Sequence, residues 1–136
     1  MKIIIMKKFF LSIAAAAALV CSCSQNKVLD EKTFVITELN GSEYVPVTEV
    51  VPTISFSEGK LSANLGGNAM FTTYTEGRKG SLELSEIGMT RMLVPQEFRE
   101  DEFVQALGSV AFFTLDESAI SLLDKDNKVL IKAIAR

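Results

Sequence analysis

Few side chains in this sequence could carry chemistry, and each belongs to a short local cluster. There is no histidine anywhere in the 136 residues, so imidazole-based nucleophilic or acid–base catalysis is excluded. The two cysteines, Cys21 and Cys23, lie at the end of an apolar leader. Carboxylates are plentiful. Glu100-Asp101-Glu102 has the composition of a paired-carboxylate site, but three acids opening a helix are expected to be solvated and to complement its dipole. Asp124-Lys125-Asp126-Asn127 resembles the start of a calcium loop. Val129 stands where such a loop needs glycine and Ala135 where it needs glutamate, so a polar turn is expected. Gly66-Gly67 is followed by no Lys-Ser/Thr pair and is not a phosphate loop.

Three residues remain as candidates for a partner or anion contact: Arg91, Thr90 and Asn68. Arg91 interrupts an apolar run between Met89-Thr90 and Met92. It could face a ligand at the mouth of a barrel, or lay its stem on the sheet and pair with a surface acid. Asn68 follows two glycines and suits a turn. Met70, Met89 and Met92 are expected to fill the core. No catalytic residue, metal ligand or cofactor site emerges.

The N-terminus carries an address. Lys7-Lys8 precedes the apolar run of residues 9–20, too short to span a bilayer and suited to a signal peptide. Met6 is an alternative start to Met1. Val20 and Ser22 stand three and one positions before Cys23, the spacing of a bacterial lipobox. Residues 1–22 are therefore expected to be a lipoprotein signal peptide, Cys23 the lipidated residue, and the polar residues 23–32 a tether. With Cys21 removed, no intramolecular disulfide can form. The expected location is the cell envelope, anchored by lipid and facing the periplasm, with the outer membrane favoured over the inner.

The residues beyond the leader suffice for one domain with its own core. The leader takes three of the 14 basic residues and none of the 17 acids, leaving a net charge of −6. Such a domain, without a basic stripe, is not a nucleic-acid binder.

The elements that must position the candidates are mostly strands. Residues 33–39 are rich in β-branched and aromatic side chains and end at Asn40-Gly41, a hairpin signal. Residues 43–51 contain Pro46 and are expected at an edge or in a loop. Residues 52–74 alternate, with Ile54, Phe56, Leu61, Ala63 and Leu65 inward and a Glu58-Gly59 turn between. Residues 75–80 form a turn, and residues 81–85 alternate again. Helical spacing occurs once, over 95–107, where Phe103, Ala106, Leu107 and Val110 share a face. Gly108 is the expected stop. Strands follow at 109–115, 119–123 and 128–135, the last mostly apolar on both faces and so expected to be central or covered by the helix. The fold class is α+β and β-rich: about eight short, mostly antiparallel strands forming a small open barrel-like sheet with one helix.

These motifs, in this order, resemble the META (HslJ-like) domain family, which includes bacterial heat-shock lipoproteins. The likeness rests on Phe34 and Leu39-Asn40-Gly41, then Pro52-Thr53-Ile54-Ser55-Phe56, then Gly66-Gly67-Asn68. It continues with Met89-Thr90-Arg91-Met92-Leu93-Val94, the acidic helix of residues 99–107, and the final hairpin of residues 119–135. Residues 33–136 are thus assigned to the domain. Many members carry cysteines at the positions of Gly67 and Val94. Their joint absence implies two positions in contact, with Val94 packing there instead, and no redox role carries over. The resemblance implies a compact envelope protein linked to stress or antibiotic tolerance, with no catalytic site to transfer. The expected function is therefore non-enzymatic, through an envelope protein partner. The alternative is a module binding a small apolar or peptide ligand in the sheet cavity.

Overall fold

The computed structural model describes residues 27–136. Cys23 and the leader lie outside them. Ten antiparallel strands form one sheet that nearly closes into a barrel, and a single α-helix is found among the described residues.

The strands are β1 (Lys32–Leu39), β2 (Ser42–Glu43), β3 (Thr53–Ser57), β4 (Lys60–Asn64), β5 (Ala69–Glu76), β6 (Leu82–Leu84) and β7 (Gly88–Met89). After the helix α1 (Glu100–Gly108) come β8 (Phe112–Leu115), β9 (Ala119–Leu123) and β10 (Val129–Ala135). Their order around the sheet is β6-β5-β4-β3-β1-β10-β9-β8, with β2 on β1 and β7 on β5. β2 and β7, two residues each, account for the excess over the expected eight. The seam between β6 and β8 is bridged at Ser81 and Phe112, and Leu82 N–H donates to Ala111 O at 2.9 Å.

The hairpin turns follow from two dipeptides. Asn40 and Gly41 have φ of 51° and 85°, and Glu58 and Gly59 have 52° and 79°. Left-handed conformation at both central residues matches the twist of a two-residue hairpin, and glycine supplies the second at no steric cost. The register Ser57↔Lys60 and Ile54↔Ala63 then turns Ile54, Phe56, Leu61 and Ala63 inward, all 4% exposed or less. Phe34, Phe56 and Tyr74 stack edge to face, with centroids 6.1 and 5.2 Å apart. Phe103 and Leu107 close the interior from the helix side and are fully buried.

Three local expectations change. No continuous helix opens at Pro95: Gln96–Phe98 is a single 3-10 turn, and Arg99 adopts φ 55°, so α1 starts afresh at Glu100. Residues 27–31, placed in the tether by their polarity, pack on the domain. Leu29 is fully buried, and the Val28 and Leu29 amides each donate to the Glu76 carboxylate at 2.9 Å. In β10, a register shift between Val129 and Ile131 buries the adjacent Leu130 and Ile131 together, while Ile134 is exposed. The strand is central as expected, between β1 and β9.

The barrel has two distinct ends. The chain enters at one, beside Glu76 and the Glu58-Gly59 turn, where Glu58 N–H donates to the Asp30 carboxylate at 2.8 Å. Gly66-Gly67-Asn68, the Asn40-Gly41 turn and the start of α1 lie at the other.

Candidate functional site

At the end opposite chain entry, residues 90–95 cross the barrel mouth as irregular chain, and one buried side chain fixes them. Asn68 is 3% exposed, and both polar atoms of its amide are engaged. Its Oδ1 accepts from Met92 N–H at 2.7 Å and from Thr90 Oγ1 at 2.9 Å. Its Nδ2 donates to Met92 O at 3.0 Å and to Glu100 Oε1 at 2.8 Å. Its backbone N–H donates to Glu100 Oε2 at 2.6 Å. An amide offers two donors and a two-pair acceptor, so the capacity of this side chain is filled.

Glu100 is therefore not part of a solvated helix start. It is 5% exposed, and each carboxylate oxygen accepts one bond from Asn68. Gly67 makes the approach possible. A Cβ there would collide with Glu100 Oε2 and stand 2.8 Å from Val94 Cγ1. The same geometry places Val94 over Gly67, so the two positions adjoin.

Arg99 braces the helix start. Its Nε and Nη2 each meet the Glu102 carboxylate at 2.9 Å, and Nη2 also donates to Leu39 O at 3.1 Å. Hydrogen bonds from Arg99 and then Asn40 hold the Glu102 carboxyl below its ordinary range. The Tyr44 hydroxyl donates to Phe98 O at 2.9 Å. Burial, and then the Glu100 charge, push its pKa up, while the Arg99 charge opposes this.

The three sequence candidates thus meet at one open groove of about 650 Å³, but with different roles. Asn68 and Thr90 are spent on each other, on the backbone and, for Asn68, on Glu100, with Thr90 Oγ1 also accepting from Ala69 N–H at 3.0 Å. Arg91 is exposed and enters no ion pair among the described residues. Sequence reasoning missed Tyr44, Arg99 and the buried state of Glu100, because their partners lie far away in the chain. Met92, expected in the core, is instead exposed, next to Leu93, the most exposed large apolar side chain among the described residues. Met92 is 56% exposed and Leu93 fully so, on backbone that Asn68 holds at Met92.

Among the described residues no group of His, Cys, Asp and Glu is arranged to hold a metal ion, and no helix is long and apolar enough to cross a membrane. The arrangement can present a fixed apolar tip beside one free guanidinium.

Solved structures share this fold at low identity. One NMR structure is 20% identical, superposes with a TM-score of 0.62, and covers 81% of this chain and 94% of its own. A second NMR structure, of a protein from Burkholderia xenovorans, is 17% identical with a TM-score of 0.62, covering 80% and 85%. A crystal structure of a DUF4847 family protein from Bacteroides vulgatus is 14% identical with a TM-score of 0.59, covering 80% and 95%. No curated protein matches the sequence. The META domain matches residues 27–135. A match of that extent, on a nearly closed sheet with one helix across its mouth, makes the chain a member of the META domain family.

Proposed function

We propose that this protein is a non-enzymatic, lipid-anchored envelope protein that acts through a protein partner, in envelope stress or antibiotic tolerance. The observation that carries this reading is the pair Met92 and Leu93, exposed at the barrel end opposite chain entry and held there by Asn68. A lipid on Cys23 would stand four residues before Lys27, a reach of about 14 Å at full extension. β5 alone, eight residues running from one end to the other, spans about 26 Å. The anchoring membrane would meet the entry end, leaving the tip for a partner beyond it. The chemistry the tip offers is an apolar contact beside a cation, Arg91. It fits a protein surface with an apolar recess and an acidic neighbour.

The interior of the barrel is filled by Phe56, Phe103, Leu61, Met70 and Ile131, none more than 1% exposed. A small apolar or peptide ligand would therefore sit in the mouth groove rather than inside the sheet.

The test is a photoreactive residue at Leu93 in cells, compared with one at Ile134, which is 49% exposed on β10. We expect a discrete protein adduct at Leu93 alone, weakened by Met92→Ser. Cys23→Ser is expected to release the protein from membranes. Equal adducts at both positions, or lipid adducts at Leu93, would overturn the partner reading. Unchanged fractionation of Cys23→Ser would overturn the anchor.

A further inference from the structure

We propose that Met92 is a thioether oxidation site, converted to the sulfoxide by peroxide-class oxidants while the fold stays intact, and that this conversion weakens the contact made by the tip. The second half rests on the partner reading above, and the first does not.

The described residues hold three methionines in three environments. Met70 is fully buried in β5, facing the core. Met89 is half-buried in β7, packed against the core. Met92 is 56% exposed in irregular chain. Oxidation needs the oxidant to reach the sulfur lone pair, so accessibility orders the three as Met92, then Met89, then Met70. In the reaction the thioether sulfur attacks one peroxide oxygen, the O–O bond breaks, and a sulfur–oxygen bond forms. The sulfur loses two electrons, and the peroxide is reduced to water.

The fold should tolerate the change, because it is the backbone of Met92, not its side chain, that holds residues 90–95 in place. Met92 N–H and Met92 O are both bound to the Asn68 amide. The tip should not be indifferent. A flexible apolar side chain becomes a polar, chiral one, and such a change disrupts methionine-containing contacts.

The experiment treats the folded protein with hydrogen peroxide and follows each methionine peptide by mass spectrometry. We expect Met92 to be converted first, Met89 later and Met70 only in urea, with far-UV circular dichroism unchanged at full Met92 conversion. Oxidation of Met89 or Met70 as fast as Met92 would overturn the site, as would loss of the fold on converting Met92. In the second arm, peroxide is applied before cross-linking from the probe at Leu93. We expect peroxide to abolish the protein adduct in the parent sequence and to leave that of Met92→Leu at its own untreated level. Equal loss in both would overturn the effect on the contact and leave the oxidation site standing. Absence of an adduct before peroxide treatment would count against the partner reading itself, and with it against the second half.

Discussion

Glu100 closes both carboxylate oxygens on a single residue, Asn68: Oε2 on its backbone amide at 2.6 Å and Oε1 on its side-chain amide at 2.8 Å. The two residues are 32 positions apart, one immediately before β5 and the other opening α1. The other half of the Asn68 amide grips Met92. One side chain therefore ties the sheet, the helix and the tip together.

Removing either member should be costly. Asn68→Ala keeps the backbone donor to Oε2 but leaves buried Oε1 without its partner and frees the Met92 N–H and C=O, so about 3 kcal/mol of stability should be lost. Glu100→Gln is no conservative repair. Both oxygens accept, so the glutamine amide must turn one donor against an Asn68 N–H. Urea unfolding should show both variants well below the parent, with an unchanged slope.

Gly67 is required for space. Gly67→Ala should cost about 1–3 kcal/mol, since its methyl meets Glu100 Oε2 and Val94 Cγ1. Adding Val94→Ala should recover part of this loss, while the Glu100 collision remains. A double-mutant cycle by thermal unfolding measures the coupling, and strict additivity would mean that Val94 does not lie over Gly67.

Leu29→Ala should cost about 2–5 kcal/mol, as expected for a fully buried leucine. Leu93→Ser should shift stability by no more than about 0.5 kcal/mol, as expected for a side chain that buries nothing. Chemical denaturation of the two variants side by side tests whether the domain begins before β1.

The acid limb of stability should include Glu102. Its folded pKa lies below the ordinary value of 4.5, so it binds its proton more readily when unfolded. Its contribution is present above the unfolded value and fades as pH falls through the folded one. In urea titrations against pH, Glu102→Gln should lie below the parent near neutrality and converge with it in acid. Because Glu102 is partly exposed, the gap should shrink in high salt.

Local signals made most of the barrel legible. Alternation over residues 53–65 and the Asn-Gly and Glu-Gly turns specify inward faces and hairpin register without knowledge of the rest. The helix face of Phe103, Ala106 and Leu107 is legible for the same reason, a period set by the helix itself. What escaped depends on distant partners. Glu100 sits in a run of three acids, and nothing nearby distinguishes it from its solvated neighbour Asp101. Arg99 takes a left-handed conformation that a non-glycine residue does not advertise. Leu29 is one apolar residue without a period, so its polar surroundings suggest a tether. The adjacency of Gly67 and Val94 was visible only through the family pattern.

The most direct test of the account is amide hydrogen exchange at Met92, whose N–H has Asn68 Oδ1 as its acceptor. In the parent protein this amide should be protected to a degree approaching that of Leu61 in β4. In Asn68→Ala it should exchange freely while Leu61 keeps its protection. Free exchange at Met92 in the parent, or protection that survives the loss of Asn68, would show that the tip is not held as described.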